Sequence, residues 1–276
     1  MTSTDQTTGT KKVCVIGGTG NLASILIDRL LQSGYEVNTT VRDPENEKKM
    51  AVLRVLQEQG DLNIFKADLT DEGSFNSPVS GCEYVFHVAT PISFTSQDPE
   101  RVIYTSSAAA VSINNLSGPG LVMTEENWSD IDFLRKEKPF NWAYPISKVL
   151  AEKAAYQFAQ ENKIDLVTVE MQKLSGSISF IHVDDLACAH LFLAEKETAS
   201  GRYICCSYNT NIPELADFLR KRYPRYNVLS EFEECLSTAK LTLSSEKLIN
   251  EGFQFEHDIE EMYDQMVEHF KTNRWA

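Results

Sequence analysis

The chain has 276 residues, 42% of them hydrophobic and 24% charged, with a formal net charge of −14 and a pI near 4.8. That length supports one large core, or one domain with a smaller lobe. The acidic balance excludes a basic nucleic-acid-binding face, and no apolar run reaches the roughly 18 residues of a membrane span.

The first stretch, MTSTDQTTGTKK, is polar and lacks an apolar signal core; residues 1–10 are expected to form a disordered tail. KKVCVIGG reads as a short apolar strand ending in glycines. NLASILIDRLLQSG follows with Leu22, Ile25, Leu26, Leu30 and Leu31 at helical spacing and Gly34 as the stop. YEVNTTVR is a second strand and NEKKMAVLRVLQEQG a second helix; LNIFKADL and YVFHVAT are the third and fourth strands. Strands alternating with helices predict an α/β fold, a doubly wound parallel sheet with helices on both faces.

The fifth strand, RVIYTSS, raises a difficulty. Only the ten residues Pro91 to Glu100 separate it from the fourth. A parallel crossover needs about a dozen or more residues, usually a helix. A polar loop comes next, then a helix through YPISKVLAEKAAYQFAQEN and a strand, DLVTV. SISFIHVDDLACAHLFLAEKE reads as strand then helix, with Asp184 or Asp185 placed as the N-cap. GRYICCS is a later strand, and IPELADFLRKRYP a helix stopped by Pro224. The last helix carries Ile259, Met262, Tyr263, Met266, Val267 and Phe270 on one stripe, read as core packing. Six cysteines, at 14, 82, 188, 205, 206 and 235, show no metal-ligand spacing. Reduced thiols of a cytoplasmic protein are the simplest account, and no metal is expected.

GGTGNLA sets Gly17, Gly20 and Ala23 in a G-x-x-G-x-x-A pattern between strand and helix. Glycine permits the tight turn and lets backbone N–H groups approach a pyrophosphate, and the helix N-terminus adds its positive end. The competing reading is a plain turn. Thr19, Asn21 and Leu22 belong to the same turn and are counted with the cofactor site. An NAD-selective site places an acidic residue at the end of strand two. Here Arg42 stands there, with Lys48 and Lys49 just beyond. Cations at that point suit a 2′-phosphate, so NADPH is favoured and NADH stays open; the bland alternative is a solvated basic patch. Asp68, with Leu69, ends strand three where the adenine would lie, and Val88, Ala89 and Thr90 end strand four.

Tyr144 and Lys148 stand four residues apart, on one face of a helix. A phenol with a pKa of about 10 is a poor acid–base group near neutrality. A neighbouring ammonium favours the phenolate and lowers that pKa. Ser106 or Ser107, ending YTSS, can supply the hydroxyl that holds a substrate oxygen. Chance occurrence of Tyr-x-x-x-Lys is weakened by the glycine turn upstream and the serine pair between.

GGTGNLA, TTVRDP, ADLTDE, FHVATP, TSSAAAVSIN, YPISK and FIHVDDLA together resemble the extended short-chain dehydrogenase/reductase superfamily over nearly the whole chain. Within it the chain resembles the plant dihydroflavonol reductase-like group, and there the anthocyanidin-reducing members. The resemblance implies a Rossmann fold with a small C-terminal substrate lobe. It implies an NADPH-dependent reductase of flavonoid-type substrates (anthocyanidin to flavan-3-ol), with dihydroflavonol or cinnamoyl-CoA reduction as the enzymatic rivals. By the family pattern Ser107, Tyr144 and Lys148 form the catalytic triad, and Arg42 and Lys49 hold the 2′-phosphate. In dihydroflavonol-reducing members a substrate-contacting Asn stands five residues after the catalytic serine; here that position is Ser112. Residues 11–170 are then the NADP-binding domain, and 171–276 hold the remaining sheet elements and the substrate lobe. The protein is expected to be a monomer or weak oligomer.

The resemblance also resolves the missing crossover. Relatives carry a long helix after DPE, whereas Glu100 here runs straight into Arg101. A second cut falls where Val169 passes directly to Glu170 and Met171, ahead of a Pro-containing loop and helix that wall the substrate pocket in relatives. Both cuts are clean between matching flanks, as in a deleted, mis-spliced or mis-predicted form. One crossover helix and part of the substrate lobe are therefore expected to be absent. The exposed face of strands four and five, Val85 to Val88 and Val102 to Tyr104, is expected to be uncovered. Weak cofactor binding and no turnover follow from that, which leaves a non-catalytic NADP-binding isoform as the reading of another class.

Overall fold

The computed structural model describes residues 11–89, 101–113, 120–139, 141–170, 177–228 and 241–273. Apolar strands alternate with amphipathic helices from the start: β1 (Lys12–Ile16), α1 (Asn21–Gln32), β2 (Glu36–Val41), α2 (Glu47–Gln57), β3 (Leu62–Lys66), α3 (Asn76–Val79) and β4 (Tyr84–His87). Then come β5 (Arg101–Thr105), β6 (Leu121–Met123), α4 (Ile131–Glu137), α5 (Ala143–Asn162) and β7 (Asp165–Glu170). The remainder is β8 (Ser177–Phe180), α6 (Val183–Glu195), β9 (Gly201–Ile204), β10 (Tyr208–Asn211), α7 (Ile212–Arg222), β11 (Leu241–Leu243), α8 (Glu246–Asn250) and α9 (Ile259–Asn273).

Seven strands form one sheet in the order β3-β2-β1-β4-β5-β7-β9. Every pairing in it is parallel. The doubly wound sheet read from the sequence is thus present. The chain winds outward from β1 through β2 to β3, then returns to place β4 on β1's other side. That reversal opens a crevice at the carboxyl ends of β1 and β4, the usual ligand position in such sheets. Ile16 and His87 are register partners there, so the segments leaving both strands emerge side by side.

One face packs Val13, Val15, Phe86, Ile103 and Val167 against α1, α2 and α6. The other packs Cys14, Ile16, Val85, Val102 and Tyr104 against Phe75 and Val79 from one side and Ala155, Tyr156 and Ala159 of α5 from the other. The uncovered face expected of β4 and β5 is not found. Val85, Phe86, Val102, Ile103 and Tyr104 are each 2% exposed or less, and Val88 is half-buried. Phe75, Val79 and the α5 side chains named above pack on this face among the described residues. Residues 90–100, where that crossover would lie, are outside them.

Two further expectations change. The N-cap of α6 is His182, whose Nδ1 accepts from the Asp184 N–H at 3.2 Å. Asp184 and Asp185 fall in the first turn, and each is engaged elsewhere: Asp184 with the Arg29 guanidinium, Asp185 with the Glu256 and His257 N–H groups. The α9 stripe is only partly core. Ile259 and Tyr263 are buried, but Met266 is 40% exposed and lines an apolar groove with Leu219, Tyr223 and Tyr226. Phe270's side chain is not among those described. Two small sheets flank the large one, β8 with β10 antiparallel and β6 with β11 parallel.

Candidate active site

The β1–α1 turn is built for close approach. Gly17 adopts φ +93°, and a Cβ there would sit 2.8 Å from the Ala89 Cβ. A Cβ on Gly18 would sit 2.2 Å from Thr39 Oγ1. Backbone groups pin the turn to β2: Gly17 N donates to Thr40 Oγ1 at 3.2 Å and Gly18 N to the Thr40 carbonyl at 3.0 Å. Gly20 is the N-cap of α1 and has no side chain to accept the first-turn N–H groups. Those donors at Asn21 and Leu22, together with the helix dipole, form an anion cradle. Gly18 and Thr40 were not among the residues singled out by sequence; the doubled glycine was the only visible signal.

Around this turn the structure places Ala89 against Gly17, with Val88 beside it. Thr90 lies outside the described residues. Thr19, Gly20 and Asn21 are exposed at the turn and Leu22 is half-buried. Arg42, just past β2, is exposed, as is Lys49 in the first turn of α2, where Asn46 Oδ1 caps its N–H at 3.2 Å. Asp68 Oδ1 accepts from the Thr70 N–H and hydroxyl at 2.9 and 2.7 Å. Those bonds hold its carboxyl below the usual range, with a smaller contribution from the Arg42 charge. Leu69, half-buried, packs beside Ala89 in the second core cluster.

Tyr144 and Lys148 stand on α5 as the spacing predicts. Tyr144 is 43% exposed, Lys148 is buried, and the Lys148 ammonium lies 5.7 Å from the Tyr144 ring centroid. Burial lowers the Lys148 pKa, and the Glu170 and Glu152 carboxylates partly oppose that. Helix α5 packs on the 3-10 turn Ala108–Ala110, whose N-cap is Ser107. Ser107 Oγ accepts from the Ala109 N–H at 3.2 Å. Its neighbour differs: the Ser106 hydroxyl donates to Glu152 Oε2 at 2.7 Å and is buried. The residue pattern left the two serines equivalent, and the structure separates them. Ser112 is buried and donates to the Ala108 carbonyl at 2.6 Å, on the inner side of the same turn.

Beneath this surface lies a polar cluster that sequence reading did not mark. Glu152 accepts from Arg202 Nε at 2.6 Å, and Arg202 Nη2 stands 3.6 Å from Glu170. Both carboxyl groups are fully buried. Burial, then the nearby Glu152 charge, pushes the Glu170 carboxyl well above its usual range. Arg202 attracts the Glu170 charge too, but burial and the Glu152 charge outweigh that attraction, so the shift stays upward. His87 is buried edge-on to Tyr104, and desolvation lowers its pKa to about 4. The one available signal was the i, i+4, i+8 series Tyr144, Lys148, Glu152.

The sheet order and the glycine turn at its switch point are those of a Rossmann-type oxidoreductase. A model of the NmrA-like family matches residues 9–112. An anthocyanidin reductase of Arabidopsis thaliana is 65% identical over 332 aligned positions, covering 97% of this chain and 98% of that protein. An anthocyanidin reductase of Vitis vinifera, (2S)-flavan-3-ol-forming, is 50% identical over 98% of both. Vestitone reductase from alfalfa superposes with a TM-score of 0.81 at 33% identity, covering 96% of this chain and 99% of that one. The chain belongs to the anthocyanidin reductase-like family of extended short-chain dehydrogenases/reductases, and is an oxidoreductase by that membership. The Arabidopsis alignment has 332 positions and this chain 276 residues, so at least 56, the difference, face no residue here.

Proposed function

We propose that the protein is an NADPH-dependent reductase of flavonoid-type substrates, taking an anthocyanidin to a flavan-3-ol. The observation that carries the reading is the Lys148 ammonium held against the Tyr144 ring, on a helix packed over the Ser107 turn. The residues fit the cofactor: Gly20 caps α1 with no side chain to take the first-turn N–H groups, which leaves those donors and the helix dipole for a pyrophosphate. Thr19, Gly20, Asn21 and Leu22 would hold the pyrophosphate, Arg42 and Lys49 the 2′-phosphate, and Asp68, Leu69, Val88, Ala89 and Thr90 the adenosine side. When bound, the cofactor supplies hydride to an electrophilic carbon. Ser107 Oγ would donate to the substrate oxygen. Tyr144 Oη would exchange the proton, and Lys148 would hold the ribose and favour the phenolate. We place residues 11–170 as the cofactor domain and 171–276 as the remaining sheet with a substrate lobe. The free cysteines found among the described residues support a cytoplasmic location.

A second reading, a non-catalytic NADP-binding isoform, is favoured by the 56 or more relative positions that find no residue in this chain. One experiment separates the two: NADPH fluorescence titration beside anthocyanidin-dependent NADPH oxidation, with Tyr144→Phe as control. Turnover abolished by Tyr144→Phe supports the reductase. NADPH binding without turnover supports the isoform, and no binding overturns both.

A further inference from the structure

Tyr144, Lys148 and Glu152 occupy successive turns of one α5 stripe. The mechanism above uses the first two only. Glu152 is fully buried, and a buried carboxylate is costly unless paired and hydrogen-bonded. Three elements satisfy it. Ser106 at the end of β5 donates to Oε2 at 2.7 Å, Arg202 of β9 to Oε1 at 2.6 Å, and Thr168 of β7 to Oε1 at 3.3 Å. Arg202 is itself fixed: its Nη1 donates to the Glu125 and Asn127 carbonyls at 2.7 Å each, and its guanidinium lies 3.8 Å from the Trp128 ring centroid. The anchor is therefore rigid on the side away from the serines.

Arg202 pairs with one carboxylate oxygen of Glu152. The other oxygen is committed to Ser106, the residue before Ser107. We propose that Glu152 is a positioning residue for the reductive site: its carboxylate pins the serine pair of β5 to α5 and so sets the Ser107 hydroxyl against Tyr144 and Lys148. The inference rests on the reductase reading above. Small displacements of catalytic groups cost rate far more than binding.

The test uses the full chain and four variants: Glu152→Gln, Glu152→Ala, Ser106→Ala, and the Glu152→Ala/Ser106→Ala double. Steady-state NADPH oxidation with an anthocyanidin is measured together with thermal melting and amide exchange over residues 107–112. Exchange there reads the turn directly, because the Ala109 and Ala110 N–H groups bond Ser107 and the Val111 and Ser112 N–H groups bond Ala108. Glu152→Ala and Ser106→Ala should each lower kcat by about tenfold or more with KM little changed, and each should speed exchange. The double variant should be no worse than Glu152→Ala alone, as coupled groups require. Glu152→Gln keeps an acceptor for Ser106, so it should recover most of kcat even though its melting temperature falls. Should Glu152→Ala fail to fold, Ser106→Ala breaks the same bond from the other end. Unchanged exchange in Ser106→Ala, or a kcat in Glu152→Gln as low as in Glu152→Ala, overturns the proposal. A parent chain without turnover overturns the reductase reading instead, and exchange alone then decides the clamp.

Discussion

The two halves of the sheet solve the burial problem differently. Around β1, β2 and α1 the buried side chains are apolar or, at Asn38, Thr39 and Thr40, polar without charge, and the turn carries two glycines whose Cβ positions are already occupied by Thr39 and Ala89. Around β5, β7 and β9 the interior holds ionisable groups: Glu152, Glu170, Lys148 and Arg202 are all buried. The first half discriminates by shape, so its failures should be steric and insensitive to pH. The second works through ionisation and hydrogen bonds, so its failures should depend on pH and split kcat from binding.

The largest effect is expected on the charged side. Tyr144→Phe removes the proposed proton donor and leaves the ring, the Lys148 contact and the glycine turn in place. Turnover should fall by at least the ~10²-fold typical of a lost general acid. NADPH affinity, read by fluorescence, should stay within about twofold, since no uniform binding interaction is lost. A parallel loss of affinity would show that the two halves are not separable.

Gly18→Ala attacks the other half. The new Cβ meets Thr39 Oγ1, whose hydroxyl donates to the Val15 carbonyl at 2.8 Å and cannot swing away freely. Overpacking of this kind costs about 1–3 kcal/mol. The melting temperature and NADPH affinity should fall together and equally from pH 6 to pH 8. Adding Thr39→Ala empties the space and should return part of both. A pH-dependent loss would contradict a purely steric origin.

The apolar half was legible in the sequence because its signals are local. Leu22, Ile25, Leu26 and Leu30 announce α1 by spacing, and Gly34 ends it. The rest depended on partners distant in the chain. Val85, Val102 and Tyr104 were expected to be bare because their neighbour in sequence order is missing; Ala155 and Ala159 of α5, some fifty residues later, pack on them instead. Asp184 and Asp185 fit a capping rule, but Arg29 and His257 engage them, and His182 caps the helix. Glu170 looked like one more residue at a cut. Only the sheet order shows it buried beside Glu152 and Arg202. Of the site, the Tyr144–Lys148 pair and the glycine turn were readable as patterns and the resemblance singled out Ser107, whereas the Ser106 bond to Glu152 is visible only in the structure.

Glu170 gives the charged half its pH signature. Its folded pKa is raised above the ordinary 4.5 by burial first and by the Glu152 charge next. Below the ordinary value both folded and unfolded chains hold the proton, and stability is fully present. As pH rises toward the folded value the unfolded chain releases its proton first, and stability falls by up to about 1.4 kcal/mol per pH unit. Glu170→Gln removes that dependence. Its melting temperature relative to the parent should be lowest below the ordinary carboxyl value and should rise as pH climbs above it. Buried His87 and His190, both lowered to about 4, act oppositely, losing stability as pH falls from about 6.5. They are common to both chains and cancel in the difference. A difference that shrinks with rising pH would show that Glu170 is ionised in the folded protein.

The smallest effect should come from the rim of the β1–β2 half, where we propose that selectivity between cofactors is set. Arg42 follows β2 directly and is exposed, so any ion pair it makes with a phosphate is screened by water and salt. Its guanidinium can still bond a phosphate through two donors at once, which an ammonium cannot. Asp68 feels the Arg42 charge already, so a bound 2′-phosphate and Asp68 compete for it. Arg42→Ala should therefore weaken NADPH by about tenfold, near the lower end for a charge-assisted pair, and leave NADH unchanged. Arg42→Lys should fall between, since it restores the charge without the fork. Raising the salt concentration should narrow the NADPH gap between parent and Arg42→Ala while leaving NADH flat. Equal losses for both cofactors would mean that Arg42 shapes the β2–α2 loop and does not read the phosphate. Selectivity would then rest on Lys49, which the matching Lys49→Ala titration measures directly.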